Sequence, residues 1–296
     1  MEYEITASIP AHIRELLHSG ETGEVLLVSS SGIYLRFGEQ ILLLCDESWG
    51  VLPIGIGVKD FEKAVSILRP QQGQPVTVAE DRLIFPSGKI HLILRQLSCQ
   101  AVCSASPRLR YIRQAAEELA ALRKERGISM LVQPLVLGHK LQQQNPYCAQ
   151  AGIYLEKLIH SLISDKHGEI HTCIEKLLGL GTGLTPSADD TLLGMIFVFR
   201  LLPRNCPQSV IFFQETILQL CDGFTNQISA AYLKAMLSGA PFERMEQVFR
   251  GLCGEEPLNI YKLTEIGSNS GSEMLLGMLI ALRICGYDAS TKEELQ

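Results

Sequence analysis

The sequence predicts an α+β protein: an N-terminal, mainly antiparallel β-barrel or sandwich-like domain over residues 1–103, then a mostly α-helical domain over residues 104–296 that carries an internal turn-helix repeat. Three observations carry this. Between residues 20 and 103, short apolar runs alternate with glycines and polar breaks, the texture of strands and hairpins. From residue 104 onward the apolar positions recur at helical spacing. Two stretches of the second half, 178–195 and 266–278, each join a glycine-rich polar turn to Leu-Leu-Gly-Met.

In order, a short helix is expected over 9–19 and strands over 25–29, 32–37 and 40–45, the middle one with alternating apolar positions. Residues 52–58 continue the β texture and 60–68 form a short helix. Strands at 76–78, 82–85 and 89–94 complete a set of six or seven. Ser104-Ala-Ser-Pro-Arg108 marks the boundary. Ile112, Ala115, Ala116, Leu119 and Leu122 line one face of a helix over 109–126 that stops at Gly127. Further helices are expected over 147–164, 171–178, 192–202, 210–237, 244–252 and 274–285, separated by Gly, Pro and Asn breaks. The helices after the two glycine turns are apolar all round, so they belong inside a bundle, and Gly194 and Gly277 allow close approach to a neighbour.

A chain of 296 residues, 46% hydrophobic and 20% charged, has ample material for a core. Net charge is −6 and no Lys/Arg cluster with interleaved aromatics appears, which argues against nucleic acid as a partner. Met1-Glu-Tyr-Glu-Ile5 lacks the basic and apolar regions of a signal peptide. The longest near-unbroken apolar runs, such as 192–202, are about half of the ~20 residues a bilayer span needs, so a cytoplasmic protein with no membrane partner is expected. Nine cysteines are scattered singly except for Cys99 and Cys103, which have no second pair or nearby His to complete a zinc site. Buried, reduced thiols are expected.

The chemistry is concentrated in Gly179-Leu-Gly181-Thr182-Gly183-Leu-Thr185-Pro-Ser187-Ala-Asp189-Asp190. It is not a P-loop, because no Lys follows the last glycine, nor a dinucleotide fingerprint, because Pro186 stands where a third glycine belongs and a helix precedes the turn. What remains are backbone N–H groups at Gly181–Gly183, the hydroxyls of Thr182, Thr185 and Ser187, and a helix N-terminus with about half a positive charge, all suited to an anion. The second stretch supplies Ser268, Asn269, Ser270 and Glu273. From Gly194 to Gly277 the offset is 83 residues, and at that offset Ser187 meets Ser270, Asp190 meets Glu273 and Arg200 meets Arg283. If the copies are related by a pseudo-twofold, both turns face one pocket.

Ser187-x-x-Asp190 and Ser270-x-x-Glu273 also have the shape of capping boxes, with Thr185-Pro186 offering a competing register. Capping accounts for those four residues and leaves Asp189, Asn269 and the glycines unexplained. Two adjacent carboxylates oppose an anion more strongly than a half-charge attracts it. A ligand with an anionic end and an amide end resolves this, with Asp189 accepting from the NH₂ group; a divalent cation such as Mg²⁺ is the other solution. His171 and His139 are the histidines considered as general base, and residues 225–229 form a polar stripe that either lines the same pocket or is an ordinary helix face. No Gly-x-Ser-x-Gly elbow is present, which disfavours covalent catalysis.

The run from Gly179 to Gly194, with Thr225 to Ser229, Ala235 to Gly239 and Gly267 to Gly277, resembles the AllH-like family, most sharply over about 175–285; Ala188 stands where that pattern usually has glycine. The resemblance implies a subunit of an oxamate carbamoyltransferase in allantoin and purine-ureide breakdown, working with other kinds of subunit. The substrates implied are oxamate and carbamoyl phosphate. The Ser-x-x-Arg-Thr phosphate motif of ordinary carbamoyltransferases is absent, and no arginine lies in either turn. The substrate-binding residues expected are Gly181, Thr182, Gly183, Thr185, Ser187, Ser268, Asn269 and Ser270, with Asp189, Asp190 and Glu273 as the catalytic acids and no organic cofactor. Two other readings stand beside this one: a non-catalytic scaffold or ligand-binding subunit whose turns only cap helices, and a metal-assisted ureide hydrolase using the same three acids.

Overall fold

The computed structural model describes residues 5–29, 32–95, 105–122, 127–141 and 145–290. Cys99, Cys103, Ser104 and the end of the helix expected over 109–126 lie outside them. The chain divides into two compact units, Met1–Gln100 with Ala240–Arg244, and Ala101–Gly239 with Met245–Gln296.

The first unit holds β1 (Ile5–Pro10), α1 (Ala11–Arg14), β2 (Thr22–Ser29), β3 (Gly32–Phe37), β4 (Gln40–Asp46), β5 (Gly55–Val58), α2 (Phe61–Leu68), β6 (Pro75–Ala79), β7 (Arg82–Phe85) and β8 (Gly88–Arg95). The strands close a barrel in the order β1-β5-β4-β3-β2-β6-β7-β8 and back to β1. The sandwich alternative is thereby set aside, and eight strands stand in place of six or seven. The added strand is β1, which takes residues 9 and 10 from the helix expected over 9–19 and leaves it only Ala11–Arg14. Ile5, Ala7 and Ile9 are buried while Thr6 and Ser8 are partly exposed, the period of two that a half-buried strand requires.

Six of the strand pairings are antiparallel, and two are parallel. One parallel pair closes the ring, from Ile5 opposite Ile90 to Pro10 opposite Arg95. The other, Leu43–Asp46 against Gly55–Val58, arises because the intervening segment carries the chain back to the start of β4. That segment begins with a 3₁₀ turn, Glu47–Trp49, whose Ser48 N–H donates to Asp46 Oδ1 at 2.9 Å. Val25, Leu35, Phe37, Leu44, Ile56 and Ile90 are among the side chains that fill the interior. Segment 240–244 is held to the barrel by Glu243. Its carboxylate accepts from Val51 N–H at 2.9 Å and from Arg95 at 3.1 Å, and its own N–H donates to the Val51 carbonyl at 2.9 Å.

The second unit is helical: α3 (Leu109–Ala121), a 3₁₀ turn (Ser129–Leu131), α4 (Val132–Leu135), α5 (Pro146–Ile163), α6 (His167–Leu177), α7 (Ser187–Leu201), α8 (Ser209–Phe224), α9 (Gln227–Leu237), α10 (Glu243–Cys253, entered from the barrel segment), α11 (Tyr261–Thr264) and α12 (Ser270–Ile284). The single helix expected over 210–237 is two, because Asn226 Oδ1 accepts from the N–H groups of Ile228 and Ser229 and starts α9 afresh.

At the centre α7 packs along α12. Residues 187–199 of α7 and 271–282 of α12 are buried without a break, as all-round apolar helices demand. α7 starts at Ser187 and α12 at Ser270, ahead of the apolar ranges from 192 and 274 and at the serines that the capping boxes singled out. A Cβ placed on Gly194 would lie 2.9 Å from the carbonyl carbon of Met274 and 3.0 Å from Met278 N; one on Gly277 would lie 2.8 Å from the carbonyl carbon of Thr191 and 3.0 Å from Met195 N. The contacts are reciprocal, and each pair of counterparts (Gly194 and Gly277, Thr191 and Met274, Met195 and Met278) is separated by the same 83 positions. With glycine at both points, the two backbones touch directly.

Candidate functional site

The first turn leaves α6 after Leu177 and enters α7 at Ser187. Gly179, Gly181 and Gly183 take φ of 76°, 131° and 101°, in the left-handed half of backbone space where side chains are strained. The turn folds back on its own helix: Ala188 N–H donates to the Leu180 carbonyl at 3.0 Å, and a Cβ on Gly181 would sit 3.1 Å from Ser187 Cβ. Thr182, Gly183 and Leu184 are exposed at its tip, Thr185 is half-buried and Ser187 is buried.

The acids lie beneath this tip. Asp189, 1% exposed, accepts from Gly179 N–H at 2.8 Å through Oδ1, and from Ser229 Oγ at 2.7 Å and Thr225 Oγ1 through Oδ2. It therefore ties the glycine turn to the junction of α8 and α9. Asp190, 3% exposed, turns toward the second loop: Thr185 Oγ1 donates to its Oδ2 at 3.0 Å, and Thr185 Oγ1 lies 3.0 Å from Ser270 Oγ at the start of α12. Glu273, fully buried, accepts from Ile128 N–H at 2.8 Å. Ser268 is exposed and Asn269 half-buried just ahead of α12, where the Asn269 carbonyl accepts from Ser272 and Glu273 N–H.

The expected residues thus fall into layers. Thr185, Asp190 and Ser270 are joined directly across the two loops, with Glu273 near enough to act on Asp190 through its charge. Asp189 belongs to a separate cluster with Gly179, Thr225 and Ser229. Neither capping box forms: Pro186 and Asn269 occupy the cap positions without side-chain caps, and Asp190 and Glu273 are engaged elsewhere. The reason is register: each helix begins at the serine itself, so the serine is no longer the cap and the acid three residues on is buried in the first turn. His139 is exposed after α4 and His171 is half-buried on α6.

Burial pushes the Asp189 carboxyl up from its usual range, against the pull of the Ser229, Thr225 and Gly179 donors. Burial raises Asp190 much further, helped by the charges of Glu273 and Asp189 and opposed by the Ser270 and Thr185 hydroxyls. Among the described residues, no group of three or more His, Cys, Asp or Glu is placed to hold a metal ion, and no helix is long and apolar enough to cross a membrane.

Thr225 and Ser229 prove to be partners of Asp189, and their signal was the hydroxyl-rich break at residues 225–229. Ile128 had none, because it acts through a backbone N–H.

Fold and site together define a β-barrel joined in sequence to a helical unit, whose two central helices begin at polar loops linked by a hydroxyl pair over buried carboxyls. Residues 177–282, which contain both loops and nearly all of both helices, match the family model described as oxamate carbamoyltransferase subunit AllH. Over that segment the resemblance drawn from the glycine motifs holds. No solved structure matches the chain.

Proposed function

We propose that this carbamoyltransferase-related chain binds a small anion, oxamate or carbamoyl phosphate, at the paired loops and acts together with partner subunits. One observation carries the reading: the two loops meet, through Thr185 Oγ1 and Ser270 Oγ at 3.0 Å, at the common N-terminal end of the two central helices. Around that junction Thr182, Gly183 and Ser268 are exposed and Gly181 and Asn269 half-buried, and two helix N-termini add positive potential there for an anion that takes the loop amides. In this reading the two turn-helix units are copies of one another, and the copying places both N-termini at one end. In carbamoyl transfer the oxamate nitrogen attacks the carbamoyl carbon, the carbon–oxygen bond to phosphate breaks, and phosphate leaves with the proton lost from nitrogen. The loop amides stabilise the oxyanion that forms, and catalysis rests on positioning and charge. Arg200 and Arg283 sit in the last turns of α7 and α12, away from the loops, so the cationic groups come from partner subunits or from other arginines remote in sequence.

The test is carbamoyl transfer measured in the complex reconstituted with its partner subunits, using Asp189→Asn and Asp190→Asn, with calorimetry of oxamate, carbamoyl phosphate and phosphate on the chain. Loss of transfer with retained fold supports the reading; full activity in both variants removes the two acids from the mechanism.

A second reading has its own observation. Both oxygens of Asp189 are engaged by the protein's own donors, as expected of a residue that shapes the loop. A scaffold subunit of that kind binds none of the three anions.

A further inference from the structure

At the opposite ends of the central helices lies a feature that carbamoyl transfer does not use. Cys206 lies in the connection between α7 and α8, and Cys285 directly follows α12. Their sulfurs are 2.9 Å apart across 79 residues of sequence. Among the described cysteines, Cys206 alone is not buried. The sulfurs need to move less than about 1 Å to reach the ~2.05 Å of a disulfide.

We propose that Cys206 and Cys285 form an oxidisable dithiol that small-molecule disulfides, such as oxidised glutathione, convert to an intramolecular disulfide joining the C-terminal ends of α7 and α12. In the reduced pair the Cys206 thiol also reaches the Leu202 carbonyl at 3.0 Å, so the two thiols and the carbonyl form a short hydrogen-bonded chain. The hydrogen bond from Cys285 lowers the Cys206 thiol, despite its partial burial. Cys285 is raised by the same bond and by burial. Cys206 is therefore both the more exposed residue of the pair and the first to ionise, and the thiolate is the form that attacks.

The steps balance. The Cys206 thiolate attacks one sulfur of glutathione disulfide, forms a mixed disulfide and releases one glutathione thiolate. The Cys285 thiol then loses its proton and attacks Cys206 Sγ, expelling the second glutathione. Two protein thiols are oxidised and one disulfide reagent is reduced to two thiols.

The experiment treats the full, folded chain with oxidised glutathione at mildly alkaline pH, followed by intact-mass measurement and peptide mapping under non-reducing conditions. A loss of about 2 Da, a linked peptide containing Cys206 and Cys285, and reversal by dithiothreitol are expected. Cys285→Ser stops at a glutathione adduct on Cys206, a gain of about 305 Da, and Cys206→Ser gives no linked peptide. A wild-type chain that keeps the adduct without closing, links Cys206 to Cys99 or Cys103, or reacts no faster at Cys206 than at the buried cysteines overturns the proposal. None of these readouts depends on carbamoyl transfer.

Discussion

Gly194→Ala tests the central helix pair with a sign that two physical effects set in opposite directions. By helix propensity alone, alanine in a helix interior stabilises by about 0.5–1 kcal/mol relative to glycine. Here the new methyl would lie 2.9 Å from the Met274 carbonyl carbon and closer still to its oxygen. That is roughly 0.6 Å or more short of the ~3.5 Å at which carbon atoms meet comfortably, and the obstacle is backbone that no rotamer change can clear. The helices must separate, and a gap of that size forfeits about a quarter to a half of each dispersion contact along the seam. Overpacking of this kind costs about 1–3 kcal/mol or more, and the upper end applies because both walls are main chain. The net expectation is a loss of about 2 kcal/mol, which lowers the Tm by roughly 4–8 °C at 2–4 °C per kcal/mol for a unit of this size. Gly277→Ala meets the Thr191 carbonyl in the same way and behaves alike. The double variant costs less than the sum of the two, because one separation relieves both clashes. Gly223→Ala, on α8 with open space around it, is the control and is neutral or stabilising. Calorimetry or circular dichroism melts read the four variants against the parent. A Gly194→Ala variant as stable as the parent, or more so, would refute direct backbone contact.

Two further outcomes are expected. Asp190 carries its proton more tightly when folded than when unfolded. The stability this contributes is therefore fully present below the ordinary carboxylate range and lost as pH rises through the raised folded value. Melting curves from pH 5 to 9 should slope downward for the parent and flatten for Asp190→Asn; a parallel slope in both assigns the pH dependence to other groups. For Glu243, replacement by Ala removes acceptors for Val51 N–H and Arg95, which costs about 1–2 kcal/mol. Glu243→Gln keeps an acceptor and loses only a part-exposed ion pair, about 0.5 kcal/mol or less, and equal losses in a thermal melt would contradict that division.

What the sequence made legible followed from periodicity and composition. The hairpin texture of residues 20–103 announced a β unit, and the near-unbroken apolar runs from Leu192 and Met274 announced two buried helices. The first strand was hidden because Ile9 and Ile13 also fit a helical spacing, and what decides for β1 is a partner 85 positions away, Ile90. Parallel pairing of β4 with β5 is likewise a property of register, which local pattern does not encode. In the site, the serine and acid positions were visible, but their roles were not. The same spacing serves a capping box or a buried acid according to whether the helix starts just after the serine or at it, and here it starts at it. The bond from Ile128 N–H to Glu273 leaves no trace in the side-chain sequence.

The parallel pairing of β1 with β8 has a consequence for biosynthesis. Ile5 leaves the ribosome 85 residues ahead of Ile90, so at about 5–20 residues per second the opening strand waits roughly 4–20 s for its neighbour. Until then the nascent sheet has bare margins, and trimming Ile5–Pro10 from the finished chain would leave β5 and β8 with unmatched amide and carbonyl rows that invite another chain to add on. Removal of Ile5–Pro10 is thus expected to cause oligomers and aggregates as well as the loss of the β1 pairs.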